Sequence, residues 1–204
     1  MNNSIYGKYE EALKYVLEKA QSLLEDYDRA FFENENEHIF EHVSVRLKSD
    51  ESMREKCRRK GIPENEESAL SVLKDAIGLR IVCSFIDDVY KIVEWFKTLP
   101  EVHIVTEKDY ISHSKPNGYR SYHMIFTMDA PFEDITGSNP GSFFVEVQLR
   151  TIAMDSWASL EHKLKYKKSI ENQKLIESEL KRCADELAAC DVSMQTIREL
   201  IRKG

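Results

Sequence analysis

The chain has 204 residues, 32% of them charged and 42% hydrophobic, an ordinary make-up for a folded domain that needs no disulfide or metal staple. Its 29 basic and 36 acidic side chains give a formal net charge of -7, which excludes broad nucleic-acid binding but leaves room for a small basic pocket. No apolar run approaches the ~20 residues of a membrane span, so no membrane-spanning helix is expected.

The opening MNNSIYGKYEEALKYV does not read as a signal peptide. Apolar residues at Tyr6, Tyr9, Leu13, Val16, Ala20, Leu23, Tyr27 and Ala30 alternate spacings of three and four, which predicts one long amphipathic helix. His42–Lys48 alternates as a strand, and Asp50 is the expected N-cap of a basic helix ending near Gly61-Ile62-Pro63. Ile77–Phe85 is β-branched and mostly apolar, which predicts a central strand. Asp87 or Asp88 then caps a helix carrying Val89, Ile92, Val93, Phe96 and Leu99. Val102–Ile111, Tyr119–Met128 and Phe143–Arg150 supply three more strands, and Asp129–Ser142 reads as a hairpin loop rich in Gly, Pro and Asn. A helix follows from about Thr151 to Lys168. The last segment carries Ile176, Leu180, Cys183, Leu187, Cys190, Met194, Ile197 and Ile201 at heptad spacing. Both terminal helices read either as covers for the core or as assembly elements. Five strands among helices predict an α/β or α+β fold with a mixed sheet. The expected division is an N-terminal helical segment at 1–40, a central domain at 41–168 and a C-terminal helix at 169–204. Cys57, Cys83, Cys183 and Cys190 form neither a C-x-x-C pair nor a zinc-spaced Cys/His cluster, which fits a reducing cytoplasm and no structural metal.

Period-two alternation locates the chemistry. In Phe143–Arg150, Glu146, Gln148 and Arg150 share one face; Tyr119, Ser121 and His123 share another, as do Arg46 and Lys48. Acid, amide, imidazole, aromatic ring and cations together are the mix of a nucleotide site, where a merely solvated face would carry Thr, Lys, Glu and Ser. Between Arg46 and Lys60 stand seven basic residues against three acidic ones. Lys48 precedes a helix N-terminus, and Ser52, Lys56 and Arg59 share a face of that helix, an arrangement that favours phosphate. Arg54, Arg58 and Lys60 read as solvated surface. With no Walker sequence and no GxGxxG, side chains must hold any polyphosphate. A polyphosphate also needs a hard cation on carboxylates, for which Asp75 and Glu146 are candidates; Asp75 on its own reads equally as a turn residue. His123 alone reads as a structural histidine, and no nucleophile motif is present, so direct transfer without a covalent intermediate is expected.

RLKSDESMREKCRRK, DAIGLRIVCSFIDD, KPNGYRSYH and VEVQLRTIAMDSWASLEHKLKYK occur in the order and at the separations of the Rel/Spo family of stringent-response enzymes, over roughly Val43 to Lys167. The chain resembles a small alarmone synthetase of that family. The resemblance implies a nucleotidyltransferase-like synthetase domain that transfers the β,γ-pyrophosphate of ATP to the ribose 3′-hydroxyl of GTP or GDP, giving (p)ppGpp and AMP in the cytoplasm. It implies Arg46 and Arg80 around adenine, and Lys48, Ser52, Lys56 and Arg59 on the ATP phosphates. Asp75 and Glu146 would hold Mg²⁺, Glu146 also orienting or deprotonating the hydroxyl. Tyr119 would stack on guanine, with Lys108, Lys115, His123, Gln148 and Asp155 around the acceptor nucleotide. Lys108 stands where some relatives have Arg, and Asp155 where some have Asn. Synthesis without a hydrolase domain is expected from the resemblance, and the terminal helices fit a homotetramer. Two rival readings are a toxin-like relative that modifies the 3′ end of tRNA, which would need a basic rim, and an inactive nucleotide-binding scaffold.

Overall fold

The computed structural model describes residues 4–165 and 172–203. After one turn of 3-10 helix at Gly7–Tyr9, helix α1 (Glu10–Glu35) runs for 26 residues along the domain. It buries Ala12, Leu13, Val16, Ala20 and Leu24, the stripe its sequence spacing predicts shifted by one residue at its far end, and Asn36 closes it in the left-handed conformation at φ 55°. Five strands follow among helices: β1 (His42–Leu47), α2 (Asp50–Lys60), β2 (Ile77–Cys83), α3 (Ile86–Thr98), β3 (Val102–Asp109), β4 (Tyr122–Ala130) and β5 (Gly141–Thr151). Two helices end the chain, α4 (Ile152–Lys165) and α5 (Gln173–Lys203); the expected end of α4 at Lys168, and the expected boundary there, lie outside the described residues.

The strands form one sheet in the order β1-β2-β5-β4-β3. Only β2 and β5 run parallel; the other neighbours are antiparallel, so the sheet is mixed as expected. One sheet face is apolar: Leu79, Ile81, Met124, Phe126, Val145, Val147 and Leu149 are buried there against α1 and α3. Phe96 of α3 meets Phe126 of β4 with ring centroids 5.2 Å apart. Each such fully buried side chain contributes about 1.5–3 kcal/mol, so this layer fixes which face of the sheet is left open. The open face carries the alternate residues of every strand.

Several boundaries differ from the sequence expectation, each for a local reason. Ser49, not Asp50, caps α2: its Oγ accepts from the Ser52 N–H at 3.3 Å, while Asp50 accepts from the Ile5 N–H and from Arg54. Phe85 occupies the N-cap position of α3 without a side-chain bond, leaving Asp87 and Asp88 in the first turn. Strand β3 stops at Asp109 because that carboxylate accepts from the Ile111 and Ser112 N–H groups and bends the chain. Strand β4 begins at Tyr122 rather than Tyr119. Ser121 is fully buried and donates to the Leu149 carbonyl at 2.9 Å, so it does not join the face expected for it.

The largest departure is in α5. Its domain-facing residues are Ala184, Asp191 and Arg198, seven apart, whereas Cys183, Cys190, Met194, Ile197 and Ile201 of the apolar heptad stripe are exposed. The polar residues are inside because each has a partner: Asp191 accepts from Thr151 Oγ1 at 2.6 Å, and Arg198 donates to Asp88 at 2.6 Å and Glu37 at 2.7 Å. Free Cys57 and Cys83 are buried, and Cys183 and Cys190 exposed. No helix among the described residues is long and apolar enough to cross a membrane.

Candidate active site

Strand register aligns the functional side chains in rows across the open face. Ser44, Arg80, Gln148, His123 and Lys108 are consecutive cross-strand partners, one from each of the five strands. In the adjacent row Arg46 pairs with Gly78, and Gly78 with Glu146. A cleft over these rows is lined by Ser44, Arg46, Gly78, Arg80, Glu146 and Gln148. Gly78 keeps its floor low: a Cβ there would sit 3.6 Å from Nε of Arg46, which now lies across it. Arg46 and Arg80 are exposed, with their planar guanidinium groups available at the two sides of the cleft.

The expected phosphate half lies beside Arg46. Tyr6, buried, donates from its hydroxyl to the Lys48 carbonyl at 2.7 Å, so the N-terminal segment fixes the backbone just before α2. Burial first, then the charge of Asp75, pushes the Tyr6 hydroxyl well above its ordinary pKa, so it stays a donor. Lys48 and Lys56 both donate to Asp75 Oδ2, the Lys56 contact at 2.5 Å. Ser52 and Arg59 lie exposed on α2.

Asp75 and Glu146 are near enough for the charge of one to act on the other. Burial alone would raise the Asp75 carboxyl, but the hydrogen bonds from Lys48 and Lys56 outweigh it and hold it below the usual range. Glu146 is shifted the other way, upward, by burial and then by the negative charge of Asp75. Asp75 Oδ1 is buried without a hydrogen-bond partner. Two carboxylates that repel each other, one with an orphaned oxygen, fit a hard divalent cation that takes its remaining ligands from phosphate and water. The described residues contain no cluster of three or more His, Cys, Asp or Glu that could hold a metal by themselves.

The other half of the face is built on the loop between β3 and β4. Its turn is the expected one: the Gly118 N–H bonds to the Lys115 carbonyl at 2.8 Å across Pro116 and Asn117. Gly118 has φ +90°, and a Cβ there would lie 2.6 Å from Cβ of Ala184 on α5, so both backbone and space require glycine. Lys115 Nζ lies 4.9 Å from the Tyr119 ring centroid and 4.6 Å from that of Tyr110. Tyr119 bonds His123 Nε2 through its hydroxyl at 2.8 Å. Asp155, in the first turn of α4, accepts from Arg150 at 2.8 Å. His123 is shifted down to about 4, by burial first and then by the charges of Arg150, Lys115 and Lys108, so it is neutral at pH 7.

The structure adds residues that the sequence reading left without a role. Arg150 shared the face of Glu146 and Gln148 by alternation; it is buried and joins Asp155, Tyr119 and Gln148. Arg120 donates to the Gly118 and Ala184 carbonyls and to Asp185, and Trp157 Nε1 donates to the Leu180 carbonyl at 2.8 Å, so α5 braces the loop that carries Tyr119. Tyr122, on the opposite face, donates to Glu107 at 2.6 Å. The bonds from Arg150 to Tyr119, from Arg120 to Ala184 and Asp185 and from Trp157 to Leu180 join residues far apart in sequence, so local pattern gave no signal of them.

Residues 45–171 match the family model described as "Region found in RelA / SpoT proteins". The chain belongs to the RelA/SpoT family. It is 41% identical to the GTP pyrophosphokinase YwaC of Bacillus subtilis (strain 168) over 160 residues, 78% of this chain and 74% of that one. With the GTP pyrophosphokinase YjbM of the same organism it shares 34% identity over 177 residues, covering 86% and 81%. The crystal structure of small alarmone synthetase 1 from Bacillus subtilis bound to its product pppGpp superposes with a TM-score of 0.74 at 33% identity, over 95% of this chain and 94% of that one. The family match takes in the sheet, and the structural match over 95% of this chain takes in the terminal helices as well.

Proposed function

We propose that this RelA/SpoT-family chain is a GTP pyrophosphokinase that transfers the pyrophosphate of ATP to the ribose 3′-hydroxyl of GTP or GDP, producing (p)ppGpp and AMP. The observation that carries the reading is that Asp75 and Glu146, coupled by their charges, stand beside two different sets of side chains on the open sheet face. On one side stand the exposed guanidinium groups of Arg46 and Arg80 and the cations of α2; on the other stands the Tyr119, His123, Gln148 and Asp155 group. Two similar relatives are GTP pyrophosphokinases by name, and a similar structure holds pppGpp, which supports the same chemistry here.

Arg46 and Arg80 stack on the adenine, and Lys48, Ser52, Lys56 and Arg59 take the phosphates. For this, Lys48 and Lys56 exchange their present carboxylate partner, Asp75, for phosphate oxygens, which frees Asp75 to face a cation. Asp75 and Glu146 are the residues that would hold Mg²⁺, which when bound neutralises charge on the transferred group. Glu146 orients the attacking hydroxyl and accepts its proton. Tyr119 offers a flat surface to guanine, with Lys108 and Lys115 toward its phosphates. A loose phosphoryl-type transition state asks for this positioning and charge neutralisation more than for covalent help. The catalytic domain spans 41–168, and the protein works in the cytoplasm as a homo-oligomer, a tetramer, joined by the exposed apolar stripe of α5.

The decisive assay incubates the purified protein with ATP, Mg²⁺ and either GTP, GDP or tRNA, and follows which acceptor gains pyrophosphate. GTP or GDP is expected; transfer to tRNA alone would replace this reading, and no transfer at all would favour an inactive scaffold. Glu146→Gln should leave ATP binding within about twofold and lower synthesis by roughly a hundredfold or more. Near-normal turnover of that variant would refute the role given to Glu146.

A further inference from the structure

Arg150 reaches three of the acceptor-half residues at once. It is 6% exposed; Nη1 donates to Asp155 Oδ1 at 2.8 Å, and Nη2 to Tyr119 Oη at 2.9 Å and to Gln148 Oε1 at 3.3 Å. Its Nε is buried without a partner, so the side chain is held in this place by the two outer nitrogens, and its guanidinium carbon sits 5.4 Å from the Tyr119 ring centroid. A guanidinium can only donate, and that fact gives the bonds around it a direction.

Tyr119 Oη accepts from Arg150, and its own proton has one acceptor within hydrogen-bond distance among the described residues, His123 Nε2 at 2.8 Å. The arrangement that gives the Tyr119 proton a protein acceptor runs one way: Arg150 donates to Tyr119, and Tyr119 donates to His123. In it His123 Nε2 is unprotonated and the ring proton is on Nδ1. We propose that Arg150 is a positioning residue that sets the hydrogen-bond polarity of the acceptor half, holding His123 as its Nδ1–H tautomer and Asp155 with Oδ2 as its remaining acceptor.

This deepens the acceptor reading of the Tyr119, His123 and Asp155 group and rests on it. The consequence is one fixed donor, His123 Nδ1–H, and one fixed acceptor, Asp155 Oδ2, within the group that is proposed to receive the nucleotide. Guanine offers carbonyl and N7 acceptors together with N–H donors, and a preset donor and acceptor match it without reorganisation when it binds. The Arg150 charge also offsets that of Asp155, so an acidic residue stands in a phosphate-binding site without repelling its ligand. His123 cannot escape the assigned state by protonation at neutral pH. The charged groups that act on it are Arg150 of β5, Lys115 of the loop and Lys108 of β3, all cationic, and its uncharged neighbours include Tyr110, Tyr119 and Gln148.

Long-range ¹H–¹⁵N correlation spectra of the ¹⁵N-histidine-labelled full chain test the polarity directly. The expected result is a His123 with protonated Nδ1 and unprotonated Nε2, unchanged from about pH 8 to about pH 5.5, across the ordinary histidine range. In Tyr119→Phe, which keeps the ring and removes only the hydroxyl, the tautomers should mix. A wild-type spectrum with the proton on Nε2, or one that titrates near the ordinary value, overturns the inference. Kinetics test its consequence. Arg150→Gln should raise the KM for the guanine nucleotide roughly tenfold or more, the worth of a hydrogen bond to a charged group, with the KM for ATP within about twofold. Arg150→Lys, which can replace one donor but not the fork, should recover only part of the loss. If His123 has the expected tautomer but Arg150→Gln and Tyr119→Phe both raise the KM for ATP instead, the acceptor assignment fails. If both KM values rise together in the two variants, Arg150 is merely structural and the inference is overturned.

Discussion

Replacing His123 by glutamine removes a group whose charging opposes folding, and the size of the effect follows from its surroundings. The imidazole is half-buried among three cations, Arg150, Lys115 and Lys108, and its pKa falls from 6.5 to about 4. Between those values the unfolded chain binds a proton that the folded chain refuses. The contribution to stability is therefore fully present above about pH 6.5 and is lost as the pH falls through about 4. At about 1.4 kcal/mol per pH unit, the wild type forfeits about 2.5 kcal/mol from this site alone between pH 7 and pH 4.5. The glutamine variant keeps an acceptor for Tyr119 in the place of Nε2 and has nothing to protonate. Asp75, Asp109 and Asp134, held below the ordinary carboxylate range, also lose stabilisation in acid, but at lower pH and equally in both proteins. Urea unfolding followed by far-UV circular dichroism, at matched protein concentration and at about pH 7 and about pH 4.5, isolates the histidine as the difference between the two curves. The variant should lose less stability than the wild type by about 2.5 kcal/mol over that interval. Parallel curves would refute the depressed value and the electrostatic account of this half of the site.

Three further outcomes follow from the same geometry. Arg80→Lys keeps the charge but loses the flat guanidinium beside the cleft, so the KM for ATP should rise about 3- to 30-fold with the KM for GTP unchanged, as measured in initial-rate assays. Equal kinetics would remove Arg80 from the adenine site. Gly118→Ala places a methyl 2.6 Å from Ala184 Cβ at φ +90°, so thermal unfolding should show a loss of about 1–3 kcal/mol. A double change, Met194→Glu with Ile201→Glu, touches only the exposed stripe of α5 and leaves Ala184, Asp191 and Arg198 on the domain. It should lower the mass measured by light scattering; an unchanged mass would place the assembly surface elsewhere. Ending the chain near Lys168 is the poorer test, because it also strips the bonds that α5 makes to Thr151, Trp157, Asp88 and the Gly118 turn.

Strands β2 and β5 were legible because burial on one face and chemistry on the other impose period two on their sequence, and the site residues of β5 sit at the alternate positions. The turn at Pro116-Asn117-Gly118 was legible from its residue types. The cation cluster of α2 was visible in composition, and Asp75 and Glu146 in their positions at or next to strands. The Ser49 cap was missed because Ser49 and Asp50 are adjacent and both suit the role, and the choice fell to Asp50 having better partners in Ile5 and Arg54. Ser121 was misassigned because a period read from sequence runs back past the point where the strand begins.

What the sequence determined by itself is periodic and local: a mixed sheet with one apolar face, a long amphipathic helix before it, and the residue types of a nucleotide site. The tertiary structure alone decided which residues meet. Asp75 takes the two lysines assigned to phosphate, Arg150 binds three residues of two elements and a loop, and α5 turns its polar side to the domain because Asp191 and Arg198 find Thr151, Asp88 and Glu37 there. A buried charge is stable only with a partner, and the partner is chosen by the packing of distant segments, which no local spacing encodes.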